Sequence, residues 1–435
     1  MYKLFLSIAV ASILSSPANA ASLYELYGET IGSDPRLRIA AQQVEVSSAQ
    51  LDQAGAQLLP QIRMYSTLSE NQREVIQTSN TERYKGEKYS LVAQQKLFDL
   101  NAWHNRDRYQ HLSDESRLRL EERRMLVSVD LTQRYLAALS QQDAFKLVTA
   151  EKDAIEKQLQ LLKTRYKHQL STVTHILEVE ARLDGTLANE IAAKGELEIA
   201  FEALSELVGY PVPPHLNSLT DNTSLLGETG RLDAWTEKAL LNNPNLQALS
   251  LKVKSEEAAL RQADSGHYPT IDLTLSAQKS DIGFENTQAA RTDTYVASLN
   301  LTFPLFEGGG TSARKAEKRA TLRIAQLEYE EARRNILKET RAAYLNVKSN
   351  EAIMAAALKA LKSSVKSREA QEKGFKYGTV TVVDVLDAIR EQYKFRKDFH
   401  QAQYDYINNW VQLLSISGTL TEEHIGRVDN WMTSS

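Results

Sequence analysis

Two carboxylates one helical turn apart, Asp384 and Asp387, are the residues of this 435-residue chain whose types and spacing best suit chemistry. Positions three apart share a helix face, so two like charges would stand together there and either hold a cation or repel. They sit in the stretch Phe375–Ala388, FKYGTVTVVDVLDA. A long helical pattern stops at Gly378, a residue suited to the left-handed conformation of a helix end. Thr381-Val-Val-Asp384 then has the spacing of a capping box, so Asp384 also has a purely structural use. The result is a helical hairpin with a very short turn. A similar tip occurs 209 residues earlier, around Tyr166–Glu178, without the carboxylate pair.

Other chemistry is poorly supported. Gly308-Gly-Gly310 precedes a helical pattern, but no Gly-Lys-Ser/Thr follows, so a strand-to-helix hinge explains it better than a phosphate loop. His104/His111 and His168/His175 are pairs seven apart. Two helical turns is about 10 Å, too far to share one metal. No nucleophile–base–acid arrangement stands out, and neither an enzyme nor a metal or cofactor is expected.

The elements that carry the tip begin after a leader. Lys3, the apolar run Leu4–Leu14 and Ala18-Asn19-Ala20 form a signal-peptide pattern over 1–20, too short for a membrane helix. The chain has no cysteine and a formal net charge of −4, with no basic surplus for nucleic acid. Ala, Leu, Glu, Lys, Gln and Arg dominate, the composition of long helices.

Compared with itself at an offset of 209, the chain matches: Pro35/Pro244, Leu37/Leu246, Val44/Val253, Ala49/Ala258, Leu51/Leu260, Gln53/Gln262, Ala54/Ala263 and Pro60/Pro269. It is a tandem repeat, 21–208 and 231–418, with a Pro-rich linker at 209–230 and a short segment 419–435. Each half predicts a helix from Pro35 or Pro244, then two alternating strands (about 61–70 and 89–98; about 270–279 and 294–304). A very long helix and its return follow, as hairpins over about 101–207 and 311–417. Val148, Ile155, Leu159, Leu162 and Tyr166 suggest a coiled-coil seam.

In the second half Leu273, Leu275, Leu299 and Leu301 fall on one strand face, with Thr274 and Asn300 on the other. An exported chain whose strands have one apolar face, and whose helices leave them at one end, suggests a membrane sheet. Lipid offers an edge no partner, and four strands are too few to close, so several copies must share one barrel.

Phe303-Pro-Leu-Phe306-Glu-Gly-Gly309, and Leu97-Phe98-Asp99-Leu-Asn-Ala-Trp103 at the equivalent place, resemble the strand–helix junctions of the TolC family of outer-membrane efflux and secretion channels. Tyr377-Gly-Thr with Val383-Asp384-Val-Leu-Asp387 resembles that family's periplasmic tip, and Gln262-Ala263 through Tyr268-Pro269-Thr-Ile-Asp-Leu its second strand start. The resemblance spans the mature chain. It implies a mainly α fold with a β-barrel: a homotrimer with a 12-stranded barrel in outer-membrane lipid, continued by a helical tunnel. It also implies docking to a periplasmic adaptor (a membrane fusion protein) and an inner-membrane RND or ABC transporter.

In a trimer Asp384 and Asp387 would form two carboxylate rings at the constriction. Gate contacts would fall at Thr174, His175, Phe375 and Val380. Adaptor docking would use Gln169, Leu170, Ser171, Tyr377, Gly378 and Thr379. The junctions would use Phe98, Trp103, Pro304, Gly308 and Gly309. This chain has Gln169 where the family usually has Gly, His175 for a frequent Asp, Val380 for an Arg of some members and Phe375 for a Tyr. The polar lock of those members is not expected here. The rival reading is a periplasmic coiled-coil scaffold or adaptor without a pore.

Overall fold

The computed structural model describes residues 20–75, 80–219, 230–283 and 287–433, so the expected leader lies almost wholly outside the described residues. The order is α1 (Leu23–Ser33), α2 (Pro35–Ala56), β1 (Gln61–Val75), β2 (Asn80–Phe98), α3 (Leu100–Lys167), α4 (Val173–Val208) and β3 (Ser218–Leu219). Then come α5 (Leu232–Asn242), α6 (Pro244–Asp264), β4 (Thr270–Ile282), β5 (Gln288–Thr302), α7 (Gly310–Tyr377), α8 (Val382–Ile416), α9 (Glu422–Asn430) and β6 (Met432–Thr433). α3 and α7 are both 68 residues long. No helix among the described residues is long and apolar enough to cross a membrane.

The chain divides into two compact units that cut across the repeats. Corresponding elements of the two repeats pack on each other, so each unit takes a part of both. The first comprises Ile39–Glu122 and Pro244–Asn335. Its four strands form one antiparallel sheet in the order β1-β2-β4-β5, leaving β1 and β5 as edges. The strands run beyond the extents expected from alternation. β1 and β2 remain paired out to Val75 and Asn80, past a mostly polar run, Glu70–Glu74, where the period-2 signal fades.

The second unit holds the remaining segments, including the far halves of α3 and α7. Its core gathers Tyr135 and Leu139 of α3, Leu204 of α4, and Tyr404, Ile407 and Trp410 of α8. The short helices α1 and α5, not anticipated from the sequence, are C-capped by Asp34 and Asn243, just before the two prolines. α1 starts at the N-cap Ser22, which accepts from Glu25 N, while the Asp429 carboxylate of α9 accepts from Leu23 N at 2.9 Å. The Tyr135 hydroxyl donates to Ala21 O at 2.9 Å. Residues past 418 thus form part of this core through Ile425 and Val428.

Between α3 and α8 a buried polar knot forms from residues far apart in sequence. His400 Nδ1 (3.0 Å) and the Tyr404 hydroxyl (2.5 Å) both meet Asp143 Oδ2. Burial, then the Asp143 charge, push the Tyr404 phenol up, so it stays a donor.

Candidate functional site

The first part of the site is the sheet. Cross-strand partners share a face. Ile62, Ala93, Leu275 and Ala297 therefore form one row, and Met64, Leu91, Ala277 and Tyr295 the next. With Leu273/Leu299 and Ile271/Leu301 they make an apolar band about 20 Å tall along β4. It is exposed, Leu299 to 67 % and Tyr295 to 81 %. The row beyond, Ser66, Tyr89, Lys279 and Asp293, is polar. On the opposite face Asn300 Nδ2 donates to Asp272 Oδ2 at 3.1 Å.

The junctions lie at the other end of the band. Asp99 caps α3, its Oδ1 accepting from Ala102 N at 3.1 Å and its Oδ2 meeting Lys96 Nζ at 2.5 Å. Burial opposes ionisation of Asp99, but Lys96 and the amide donors outweigh it and hold the carboxyl below its ordinary range. In the second half Gly308 (φ 62) and Gly309 (φ 82) turn the chain into α7 through two left-handed steps that a side chain would strain. Pro304 is half-buried. Phe98, Trp103, Leu305 and Phe306 are exposed around these turns.

The tips are the second part. Ile155, Leu159 and Leu162 of α3, Ile176 and Val179 of α4, and Val382 and Leu386 of α8 form one small core, with Phe375 of α7 against it. Both hairpins therefore meet at their tips. Tyr166, expected in the seam, is instead exposed, because α3 ends one residue later and nothing remains to cover it. A contact invisible in the sequence joins the hairpins. The Arg165 guanidinium lies 4.5 Å from the Phe375 ring centroid, and its Nη1 is 3.4 Å from Phe375 O.

The repeat makes the two tips comparable residue by residue. Gln169 stands at the position of Gly378 and holds the same left-handed backbone, φ 58 against φ 80. Thr381 completes the expected capping box. Asp384 Oδ2 accepts from Thr381 N (2.8 Å) and Thr381 Oγ1 (2.6 Å), and Asp384 N donates back at 3.3 Å. Those bonds, the hydroxyl first, hold the Asp384 carboxyl below its ordinary range. Thr172 in the first tip makes no such side-chain bond. There His175 replaces the aspartate and lies 3.4 Å from Ser171 Oγ. Asp387 pairs with Arg390 at 3.2 Å.

Asp384 and Asp387 are both exposed, and so are Thr174, Gln169, Leu170, Tyr377, Gly378 and Thr379, while Ser171 is half-buried. Val380 is half-buried against Gly374, where a Cβ would come within 3.1 Å of its Cγ2. Among the described residues no group of three or more acidic or histidine side chains could hold a metal.

A four-stranded sheet with one apolar face and two open edges, feeding repeated helical hairpins, defines a membrane-duct architecture rather than a catalytic pocket. The profile of the outer membrane efflux protein family matches residues 26–210 and 235–419, and the chain belongs to that family, as an outer-membrane transport duct and not an enzyme. It is 28 % identical to outer membrane protein TolC of Vibrio cholerae, over 97 % of this chain and 96 % of that one. It is also 28 % identical to the alkaline protease secretion protein AprF of Pseudomonas aeruginosa, over 94 % and 87 %. Among solved structures, CusC superposes with a TM-score of 0.80 at 17 % identity, covering 92 % of each chain, a likeness of fold.

Proposed function

We propose that three copies of this chain close one 12-stranded barrel in outer-membrane lipid. The helical hairpins then form a periplasmic tunnel, the exit duct of a tripartite efflux pump, a type I secretion system or both. The observation that carries this is the one-sided sheet with β1 and β5 both unpaired. Such a sheet is stable in lipid only when further strands satisfy its edges. A soluble scaffold would leave the Met64–Tyr295 band in water. A leader over 1–20 delivers the chain, and the aromatic side chains at 98, 103 and 306 sit at the inner membrane boundary. Fractionation separates the readings: a heat-modifiable trimer in the outer membrane supports the duct, and a soluble monomer supports the scaffold.

At the tips an adaptor hairpin docks on Gln169, Leu170 and Ser171 and on Tyr377, Gly378 and Thr379. The exposed Leu170 and Tyr377 side chains support this, because neither finds cover within the chain. Single cysteines at Ser171 and Thr379 are expected to crosslink to a periplasmic partner during export, with no native thiol to interfere. Absence of crosslinks from both positions rejects the docking site. The inner-membrane pump, RND or ABC type, meets the adaptor and not this chain's tip chemistry.

Asp384 and Asp387 ring the constriction with different duties. Asp384 is held ionised by its cap, a depressed carboxyl whose stabilisation is present at neutral pH and lost as pH falls through its folded value. Asp387 supplies the field that cations meet. Asp387→Asn is expected to lower cation preference and block by multivalent cations in planar-bilayer recordings, while Asp384→Asn lowers tip stability. A double variant that keeps both cation preference and block places the rings elsewhere. Thr174, His175, Phe375 and Val380 line the gate. With His175 and Phe375 in place of polar partners, the resting contact is the Arg165–Phe375 stack.

A further inference from the structure

The outer end of the sheet is built in a way that transport through a simple open barrel does not require. β2 pairs with β4 only from Lys88 to Phe98, whereas its pairing with β1 continues to Asn80. A two-stranded ribbon about 25 Å long therefore extends past β4. β4 does not run beside it. Beyond the Lys88–Ser280 pair the Asp281 carboxylate, at 2.6 Å, accepts the Glu87 N–H that a strand carbonyl would have taken. A register shift follows between Ser280 and Ile282, where Ser280 Oγ accepts from Ile282 N at 3.1 Å.

The Ile282 side chain then lies over the face of β2 that carries Lys88, Gly86 and Tyr84. A Cβ on Gly86 would be 2.6 Å from Ile282 Cγ1, so glycine is what lets the turn approach. Tyr84, two residues on and on the same face, is only 8 % exposed. The approach of Ile282 to Gly86 shows that the β4 end folds across this face of the ribbon. This face alternates with the one that carries Leu91 of the apolar band, so in the barrel reading it is the inner one.

We propose that Ile282, seated on Gly86 beside Tyr84, forms an outer constriction of the duct, a second size-selecting point at the end of the barrel away from the helices. This rests on the barrel reading. Three copies bring three inward-folded β4 ends to one mouth. The apolar Ile282 and Tyr84 surfaces there set the largest solute that can pass or enter, independently of the helical tips.

The test uses the full-length trimer in intact cells with Thr274→Cys, on the inner face beneath the constriction, as the sole thiol. A small membrane-impermeant maleimide added outside is expected to label it, and a bulky polymer-linked maleimide to label it slowly. Ile282→Gly and, separately, Tyr84→Ala are expected to speed labelling by the bulky reagent while leaving the small one unchanged and trimer yield intact. Equal bulky-reagent rates in the parent and both variants overturn the constriction. No labelling even by the small reagent removes the aqueous lumen, and with it both the barrel reading and this proposal. Fast bulky labelling of the parent shows a wide mouth and leaves the barrel standing without the constriction.

Discussion

Leu299→Arg is expected to remove assembled trimer from the outer membrane, and Leu275→Arg to do nearly the same. Leu299 pairs with Leu273, and Leu275 with Ala297, inside the exposed apolar band. An arginine near the midplane of a lipid-facing barrel strand costs about 2–4 kcal/mol, and a trimer carries it three times. Thr274→Arg and Asn300→Arg, one residue away on the face where Asn300 bonds Asp272, are expected to assemble. Both sets lie in the same two strands and the same pairing register, and all four variants introduce the same arginine, so the medium each face meets is what distinguishes them. The measurement is heat-modifiable trimer in purified outer membranes. Equal yields from the two sets would show that the band is not lipid-facing.

The second large effect separates two glycines that the repeat makes equivalent. Gly209 ends α4 at φ 92 and Gly418 follows α8 at φ 67. A Cβ on Gly209 would meet nothing within 4 Å, whereas one on Gly418 would sit 2.2 Å from Asn242 O and 2.8 Å from Asn243 N. Gly209→Ala therefore carries only left-handed strain, about 1–2 kcal/mol. Gly418→Ala adds a collision with backbone that no rotamer relieves, for a total of roughly 3–5 kcal/mol. The collision forces α8 away from the α5–α6 turn, where Asn243 Nδ2 donates to Ile416 O at 2.8 Å. Thermal unfolding and trimer yield should fall far more for position 418 than for 209. Matching losses would mean that the close approach at Asn242 does not constrain the fold.

The two tips show how a duplicated sequence divides its work. The first keeps the left-handed turn at Gln169 without glycine and lacks the capping carboxylate, and the second has both Gly378 and Asp384. The shared apolar core beneath them needs both hairpins, so neither tip is stabilised by its own turn chemistry alone.

The order of the long helices and the four sheet strands was legible in the sequence, unlike α1 and α5, because it rests on local signals: prolines at 35, 60, 244 and 269, alternation at 270–279, the glycines after 307 and the capping pair at 381 and 384. Each acts on backbone within a few residues of itself, and the repeat doubles the proline signals. The apolar face of the sheet was legible for the same reason, since alternation alone separates Leu299 from Asn300.

What only the tertiary structure decided depends on partners hundreds of residues apart. The Asp143–His400–Tyr404 knot joins α3 to α8, and Arg165 stacks on Phe375 across two repeats. Ile282 finds the bare backbone of Gly86, and α9 reaches the first helix through Asp429. None of these leaves a periodic trace, because a single side chain that meets a distant surface has no neighbours in sequence to repeat the signal. The sequence determines the long helices, the strands and which side chains share a strand face. Which side chain closes against which is decided by packing, where long helices and a shared sheet bring the two repeats together.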